Sequence, residues 1–440
     1  MTYTMKDSGI EWIGMIPEHW KVKRLKEIFQ GQNSFFRDGD WIESDDISES
    51  GIKYLTSGNV GVGLYKEKGK GFISEDTFKK LKCSEVFPGD ILISRLNSPQ
   101  GRACIVPELN SRIVTAVDNV ICRPNENYLT NFLVFLFSSL NYLKQCEIQS
   151  TGATMKRISR SKLSRIIFAV PPQKEQEAIA SYLDKHVGNL DKYIDLSTKK
   201  IKLLEEQKTA LIYETVTRGL NPDVKMKDSG IEWIGMIPEH WEVKRLKNVL
   251  KNLKSGGTPN SSEEKFWTYD SDDGIPWISI GDMSNVKYVS NVKKYLTQDG
   301  INSKNMTIFK KNTLIYSIFA TLGKVAYLTK DACINQALLA MIFSNRINQK
   351  YAYYLLKDSE RYVYQIASKN TQYNLNSFIV KNIEISIPPQ KEQEAIASYL
   401  DIKCSKIEKE IELLKKKVEL LKEYKTSLIF EVVTGKKSVI

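Results

Sequence analysis

Cysteine, histidine and long apolar runs are scarce in this chain of 440 residues. The six cysteines form no Cys-x-x-Cys pair, and with three histidines they spell out no metal cage. No stretch approaches the ~20 uninterrupted apolar residues of a membrane span, and the opening Met-Thr-Tyr-Thr-Met-Lys-Asp lacks the apolar core of a signal peptide. We therefore disfavour a disulfide framework, a zinc module and a membrane protein, and expect an intracellular, cytoplasmic chain.

Motifs that mark catalytic sites are also missing from the sequence. The fragment nearest to a phosphate-binding loop, 322–325, lacks both the first glycine and the hydroxyl of that motif. No Gly-x-Gly-x-x-Gly follows a strand, and no Asn/Asp-Pro-Pro-aromatic loop of an amino-methyltransferase is present. His19 and His240 each precede a tryptophan in a repeated segment, where packing or capping is the expected role. The sequence therefore predicts a binding protein rather than an enzyme.

The composition is that of a folded, basic protein. Hydrophobic residues make up 42% and charged residues 26%, and the formal net charge is +12. The length is about three times that of a typical domain of ~150 residues, so a single hydrophobic core is not expected. The positive balance favours an acidic partner, with DNA or RNA first.

Three blocks of sequence occur twice. Residues 5–26 and 226–247 differ only at Lys21 and Glu242. The block PPQKEQEAIASYLD is identical at 171–184 and 388–401, and LLEEQKTALIYETVT at 203–217 resembles LLKEYKTSLIFEVVT at 420–434. The chain is therefore two tandem copies of one unit.

The segments between the shared blocks, 27–150 and 248–370, do not resemble each other. Near-identical frames around divergent inserts suggest constant parts that set geometry and variable parts that set specificity. The alternative is a recent duplication with one decaying copy, but decay should not spare 14 consecutive residues while erasing their neighbours. We expect domains at 1–170 and 222–387, each followed by a conserved helical spacer, at 171–221 and 388–440.

The spacers have the period of a coiled coil. When the chain is followed from position 183 in alternate steps of four and three residues, seven of the ten positions reached are apolar. The same steps from position 400 reach nine apolar residues in ten, which is the spacing of a coiled-coil seam. The main seam positions are Leu183, Leu190, Ile194, Ile201, Leu204 and Leu211 in the first helix, and Leu400, Ile407, Ile411, Leu414, Leu421 and Leu428 in the second.

Each spacer predicts a helix of ~40 residues, roughly 60 Å long, whose best partner is its own repeat. Lys208 and Lys425 occupy matching seam positions, where a lysine either fixes the register or extends its ammonium group past a frayed end. The period does not decide between parallel and antiparallel pairing.

The variable regions mix short strands with helices. Apolar runs at 166–170 and 383–387 predict strands just before each spacer, and 132–143 and 351–366 predict helices. Together with the spacers, these patterns predict an α+β protein with two mixed domains in tandem repeat and two long helices.

Basic residues are concentrated outside the spacers. Segments 171–221 and 388–440 carry net charges of 0 and +2, so the two domains carry +10 of the +12. The densest cluster contains Lys156, Arg157, Arg160, Lys162 and Arg165. Such a cluster suits phosphate neutralisation, and the alternative is an ordinary solvated basic face.

Further candidate DNA contacts lie in polar loops. Arg95 and Arg102 flank 97–101 and could read guanine edges, and Lys66 and Lys68 form a second basic run. In the second copy the candidates are Lys324 and Gln372. The tyrosines at 351, 353, 354, 362 and 364 suggest base stacking, but this helical spacing is more typical of core and partner packing.

The shared frame closely resembles type I restriction-modification specificity subunits. The resemblance rests on DSGIEWIGMIPEHW-x-V-K-R-L, on GATMKRIS at 152–159, on PPQKEQEAIASYLD and on the LL-x-E-x-K-T-[AS]-L-I-[YF]-E-x-V-T helix end. It covers the full chain in the order variable, conserved, variable, conserved. The second copy departs from it, with NTQYNL at 370–375 where the first copy has the basic turn.

This resemblance implies a non-catalytic DNA specificity subunit of a host-defence complex. Each target-recognition domain would read one half of a bipartite double-stranded target, and an antiparallel helix pair would fix the gap. The helices would dock two methylation subunits that use S-adenosylmethionine, and two restriction subunits would add ATP- and Mg-dependent cleavage. No cofactor is expected in this chain. Alternatives are a methylation-only specificity subunit and a coiled-coil scaffold without a DNA role.

Overall fold

The computed structural model describes residues 4–32, 34–69, 71–283, 286–368 and 374–439. The chain forms two compact units: unit 1 is Met1–Thr198 with Lys415–Ile440, and unit 2 is Lys199–Leu414. These units differ from the four segments expected from the sequence, because each long helix contributes one part to each unit.

Unit 1 contains twelve strands within its described residues. They are β1 (Met5–Asp7), β2 (Met15–Pro17), β3 (Lys21–Arg24), β4 (Phe35–Asp38), β5 (Ile47–Ser48), β6 (Ile52–Leu55), β7 (Phe72–Ile73), β8 (Ile91–Ser94), β9 (Ala103–Ile105), β10 (Ile113–Thr115), β11 (Asn119–Arg123) and β12 (Ile167–Val170). The main sheet has the order β4-β11-β8-β9 and is antiparallel, and the second has the order β10-β6-β7-β5 with β10 and β6 parallel. Strands β3 and β12 pair, as do β1 and β2.

Unit 1 also contains five short helices within its described residues. They are α1 (Leu25–Ile28), α2 (Glu75–Leu81), α3 (Thr130–Ser138), α4 (Leu140–Gln149) and α5 (Arg160–Ser164). The sequence predicted one helix over 132–143, but Ser139 adopts an extended conformation (φ −67°, ψ 137°) and separates α3 from α4. The core joins Trp20, Phe132 and Phe168 to Leu183 and to the far end of the second long helix, at Leu428.

Unit 2 contains thirteen strands within its described residues. They are β13 (Met226–Asp228), β14 (Met236–Pro238), β15 (Glu242–Arg245), β16 (Leu250–Ser255), β17 (Trp267–Thr268), β18 (Ile275–Ile278), β19 (Tyr288–Val289), β20 (Tyr295–Leu296), β21 (Leu314–Ser317), β22 (Val325–Leu328), β23 (Cys333–Ile334), β24 (Leu338–Phe343) and β25 (Glu384–Ile387). The long helices are α6 (Gln173–Arg218) and α10 (Gln390–Val433), and the other helices of unit 2 are α7 (Gln298–Ser303), α8 (Gln349–Ser368) and α9 (Ser377–Lys381).

The two divergent inserts have the same topology. The main sheet of unit 2 has the order β16-β24-β21-β22-β19, which repeats β4-β11-β8-β9 and adds β19 at one edge. Its second sheet, β17-β20-β18-β23, repeats the other sheet of unit 1, including the parallel pair, here β18 and β23. The tandem α+β repeat predicted from the sequence is therefore confirmed.

The long helices are antiparallel. In unit 2, Lys200 pairs with Glu410 (2.7 Å) and Lys208 with Glu408 (3.2 Å). In unit 1, Lys425 near the end of α10 pairs with Asp191 in the first half of α6 (2.6 Å). The helices have 46 and 44 residues, so each is roughly 65–70 Å long. None of the described helices is long and apolar enough to cross a membrane.

Both long helices end against the repeated frame. Gly435, after α10, has φ +72°, and a Cβ there would lie 2.4 Å from Cδ of Pro17. Gly219, after α6, has φ +76°, and a Cβ there would lie 3.1 Å from Cζ2 of Trp241. Only glycine combines the left-handed conformation with so close an approach, so these residues end the helices and bring the frame against them.

Candidate nucleic-acid interface

Three loops of unit 1 that are distant in sequence come together in the structure. They are 57–69, 95–102 and 151–157. A β-bridge joins Leu96 to Arg157, and the Gln100 side-chain amide donates to the carbonyl of Lys156 (3.1 Å). The amide of Ile158 donates to the carbonyl of Arg95 (3.0 Å). The two basic regions predicted separately from the sequence therefore form one continuous surface.

The Arg102 guanidinium connects the first two loops from inside. The side chain is buried, and its Nε donates to the carbonyl of Val60 (2.7 Å) while Nη2 donates to that of Ser57 (2.8 Å). Its Nη1 donates to the carbonyls of Leu96 (2.9 Å) and Asn97 (2.8 Å). Arg102, predicted to read a base edge, is instead occupied with loop carbonyls, and it holds both loops in place.

The arginines of the basic turn are partly neutralised by acidic residues from other segments. Arg157 pairs with Asp118 (2.9 Å), and Arg160 pairs with Asp38 (3.3 Å). Buried Arg95 also lies against Asp38 (3.2 Å), so three guanidinium groups face two carboxylates. The turn is therefore an ordered, weakly positive network rather than a freely solvated patch.

The lysines of the surface are more accessible. Lys156 is exposed and pairs loosely with Glu147 (3.6 Å), whereas Lys162 donates to the carbonyl of Gln149 (2.9 Å). Lys66 and Lys68 are exposed. Their loop is held from inside by the buried side chain of Asn59, whose Nδ2 donates to the carbonyls of both lysines (3.0 and 2.7 Å). Asn59, Asp38 and Asp118 were not predicted, since nothing in the sequence connects them to the basic turn.

Unit 2 repeats the backbone of this surface with different side chains. Ser317 and Gly323 make the same strand-to-loop hydrogen bonds as Ser94 and Gly101, which makes Lys324 the equivalent of Arg102. Lys324 pairs with Glu360 (2.9 Å). Gln372 lies outside the described residues, as does most of the segment that replaces the basic turn.

The aromatic set on α8 belongs to the core. Tyr351, Tyr353 and Tyr354 are buried, Tyr362 packs on Trp233, and Tyr364 is exposed. Burial in the apolar interior raises the pKa of Tyr351 beyond its usual range. The packing interpretation therefore describes these tyrosines better than base stacking.

The seam positions of both long helices face inward. All twelve predicted seam residues are buried or half-buried. Lys208 and Lys425 are half-buried with their ammonium groups bound by acidic residues, so neither extends from a frayed end. Another set of leucines, equivalent in the two copies, is exposed instead: Leu196 and Leu203 on α6, and Leu413 and Leu420 on α10. Each long helix therefore exposes two leucines, seven residues apart, at equivalent positions.

No group of three or more metal-ligating side chains occurs among the residues that the structure describes. One cleft of unit 1 has a volume of about 720 Å³. It lies between the start of α3 and the first turns of α6, and none of its lining residues belongs to the basic turn.

Comparison with known proteins identifies the repeated unit. Residues 17–206 and 238–422 match the family model described as the type I restriction modification DNA specificity domain. The chain is 25% identical over 436 residues, 96% of its own length and 95% of the relative's, to a Methanocaldococcus jannaschii protein assigned to the MjaX type I restriction enzyme as its specificity subunit. It is 25% identical over 319 residues (69% and 70% of the two chains) to the MjaVIII specificity subunit of that organism.

Solved structures have the same fold. A chain from a structure on complex assembly and conformational transition of the type I R-M system superposes with a TM-score of 0.73, at 16% identity, over 96% of this chain and 99% of that one. The HsdS subunit from Thermoanaerobacter tengcongensis gives a TM-score of 0.53 at 16% identity, over 96% and 98% of the two chains.

Proposed function

The chain belongs to the family of type I restriction-modification DNA specificity subunits, and from this premise we propose that it reads a bipartite double-stranded DNA target, one half with each unit. The observation that supports this most directly is the shared topology of two inserts whose sequences differ. One fold carrying two sets of loop side chains suits two readers of different half-sites.

In unit 1 we assign DNA contact to the surface formed by loops 57–69, 95–102 and 151–157. The exposed ammonium groups of Lys66, Lys68 and Lys156 would neutralise phosphates. Asn97 and Ser98 are exposed polar residues of loop 95–102 and could reach base edges. Arg102 and Arg95 would act indirectly, by holding the loops.

The long helices would fix the gap between the half-sites and bind the catalytic partners. The exposed leucines Leu196, Leu203, Leu413 and Leu420 give each helix an equivalent apolar face, which suits two copies of a methylation subunit. S-adenosylmethionine would be bound by those subunits, and ATP and Mg by two restriction subunits. This chain would contribute specificity and no catalytic group.

A methylation-only role is the nearest alternative, and it changes the partners rather than the reader. A scaffold without a DNA role is less well supported, because it gives no reason for the loops of the two units to differ while their framework is retained.

The experiment is selection of random duplex DNA by the chain co-purified with its methylation subunit. We expect enrichment of one split motif with a fixed gap, and no methyl transfer by this chain alone when supplied with S-adenosylmethionine. Enrichment without sequence preference would contradict the reader, and methyl transfer by the isolated chain would contradict the non-catalytic role. Addition of a restriction subunit then separates the full complex from the methylation-only form.

A further inference from the structure

The main sheets of the two units end differently. In unit 2, β19 adds a parallel strand to the edge of β22, where the amide of Tyr327 donates to the carbonyl of Lys287 (2.8 Å). The strand of unit 1 that is equivalent to β22 is β9, and its Ile105 corresponds to Tyr327. Gly63 donates to the carbonyl of Ala103, but no strand pairs beside Ile105 in the described part of unit 1. On this side β9 therefore has no strand partner at Ile105 among the described residues.

Lys287 also connects that strand edge to the long helix. Its Nζ donates to Oδ1 of Asp401 on α10 (2.6 Å) and lies 3.3 Å from the hydroxyl of Tyr354, which also donates to Asp401 (2.7 Å). Lys350 reaches the other carboxylate oxygen (3.2 Å). Although desolvation opposes it, hydrogen bonding to Lys287 and Tyr354 lowers the pKa of Asp401. Lys287 therefore makes two contacts: its backbone carbonyl pairs with the edge of β22, and its ammonium group binds a carboxylate on α10.

The equivalent carboxylate in unit 1 has no such partner. Asp184 occupies the position of Asp401 in the identical PPQKEQEAIASYLD blocks. Gln176 and Gln393 of these blocks bind the backbone amides of Leu129 and Asn348, which are therefore equivalent. Two residues further along the chain, Asn131 corresponds to Lys350. Within the described residues, Asp184 has no hydrogen-bond or ion-pair partner. Desolvation raises the pKa of Asp184, and no cation opposes this effect.

Asp184 lines the 720 Å³ cleft of unit 1. The cleft walls consist of Leu129, Thr130, Asn131, Glu177, Ala180, Ser181, Asp184 and Lys185. Glu177 and Asp184 line the cleft, and Lys185 is the one cation among these lining residues. In unit 2 the equivalent of Asp184 is Asp401, which binds Lys287. The charge of the cleft and the occupied copy in unit 2 both indicate a cationic occupant.

We propose that this cleft binds an extended, lysine-bearing segment of a methylation subunit, whose backbone pairs with the edge of β9 at Ile105 and whose ammonium group pairs with Asp184. The segment takes the place that residues 287–289 of this chain fill in unit 2. Addition of a strand supplies main-chain hydrogen bonds, and the lysine supplies selectivity. The inference rests on the proposed function for the identity of its partner.

The two docking positions are consequently not equivalent. The site in unit 2 is closed by its own Lys287, so a methylation subunit gains this contact only at unit 1. Two copies of one partner therefore bind with different affinities, although the exposed leucines of the helices are repeated.

The test uses the full-length chain titrated with purified methylation subunit. Asp184→Lys reverses the charge of the cleft, and Asn131→Lys introduces the lysine that unit 2 has at position 350, which pairs with Asp184 from within the chain. Glu49→Lys, an exposed acid elsewhere in unit 1, makes the same charge change as Asp184→Lys and is the control. Melting temperature is measured for each variant, and a photo-crosslinker at position 131 is analysed by mass spectrometry.

For the unaltered chain we expect two unequal dissociation constants. Each cleft variant should raise the smaller constant about tenfold, and Glu49→Lys should leave it unchanged. Asn131→Lys should weaken binding without lowering the melting temperature. The crosslink should map to a lysine-containing segment of the partner. Equal affinities, unchanged binding by both cleft variants, or a crosslink only within this chain overturns the inference. If a split DNA motif is still selected in that case, the proposed function stands, whereas a failure of the unaltered chain to bind any methylation subunit contradicts both.

Discussion

The indole nitrogen of Trp20 donates a 2.9 Å hydrogen bond to Glu175 in the first turn of α6, and Trp241 makes the same bond to Glu392 at the start of α10 (3.0 Å). His19 and His240 contact the other oxygen of each carboxylate. The frame and the helix start are the most strongly repeated parts of the sequence, and this contact fixes each recognition fold to the beginning of its helix.

Trp20→Phe keeps an aromatic ring in the core but leaves one carboxylate oxygen of Glu175 without its donor. We expect the free energy of unfolding of unit 1 to fall by about 1.5–3 kcal/mol, because hydrogen bonds to charged groups are worth about that much. The measurement is the thermal unfolding transition. Trp41→Phe is the control, since Trp41 is 66% exposed and bonds Glu43 at the surface. Equal transitions for both variants would show that the contact does not support the fold.

Arg102→Lys tests the loop-holding role. A single ammonium cannot reach carbonyls on both loops, so we expect a loss of about 3 kcal/mol in local stability, or roughly 100-fold faster amide exchange in 57–60 and 96–99. Hydrogen exchange with mass spectrometry measures this directly. Arg165→Lys, at an exposed arginine of the basic cluster, should leave both segments protected. Unchanged exchange in Arg102→Lys would contradict the assignment.

Removal of one exposed lysine from the unit 1 surface should reduce the salt dependence of DNA binding. For Lys66→Ala, Lys68→Ala or Lys156→Ala, the slope of log affinity against log salt concentration should fall by about 0.9, because each phosphate contact releases about one counterion. Lys79→Ala, at an exposed position on α2, is the matched control. If all four variants retain the original slope, the DNA surface lies elsewhere.

Replacement of residues 27–150 with the equivalent region of a relative should change one half of the target. The segment lies wholly within unit 1, so the other half and the gap should be retained. The selected motif of the chimeric complex provides the measurement. Simultaneous change of both halves would mean that the units do not read independently.

The helices and the frame could be predicted because their signals extend over many residues. A seam of ten positions is long enough to predict a coiled coil from the period alone. The seam residues of both long helices are buried or half-buried, as this prediction requires. The shared topology of the inserts could not be predicted, since strands of two to six residues, such as β7 and β19, are too short to show a period.

The sequence predicts a DNA surface around the basic turn, but it does not show the contacts within that surface. The basic turn is recognised by its cluster of lysines and arginines, but the acids that pair with it, Asp38 and Asp118, come from distant parts of the sequence. An arginine in a polar loop can read a base or bind carbonyls, and the partners of Arg102 at Ser57 and Val60 are more than 40 residues away in sequence. Such roles depend on tertiary contacts that a linear pattern does not contain.

The central claim is that this chain selects a split DNA target for methylation. Its most direct test is a genome-wide map of N6-methyladenine in the host, with and without the gene. We predict that one bipartite motif with a fixed gap is methylated in the parent and unmethylated in the deletion strain, and that it returns when the gene is restored. An identical set of methylated motifs in both strains, with the gene and its methylation subunit expressed in the parent, would contradict the claim.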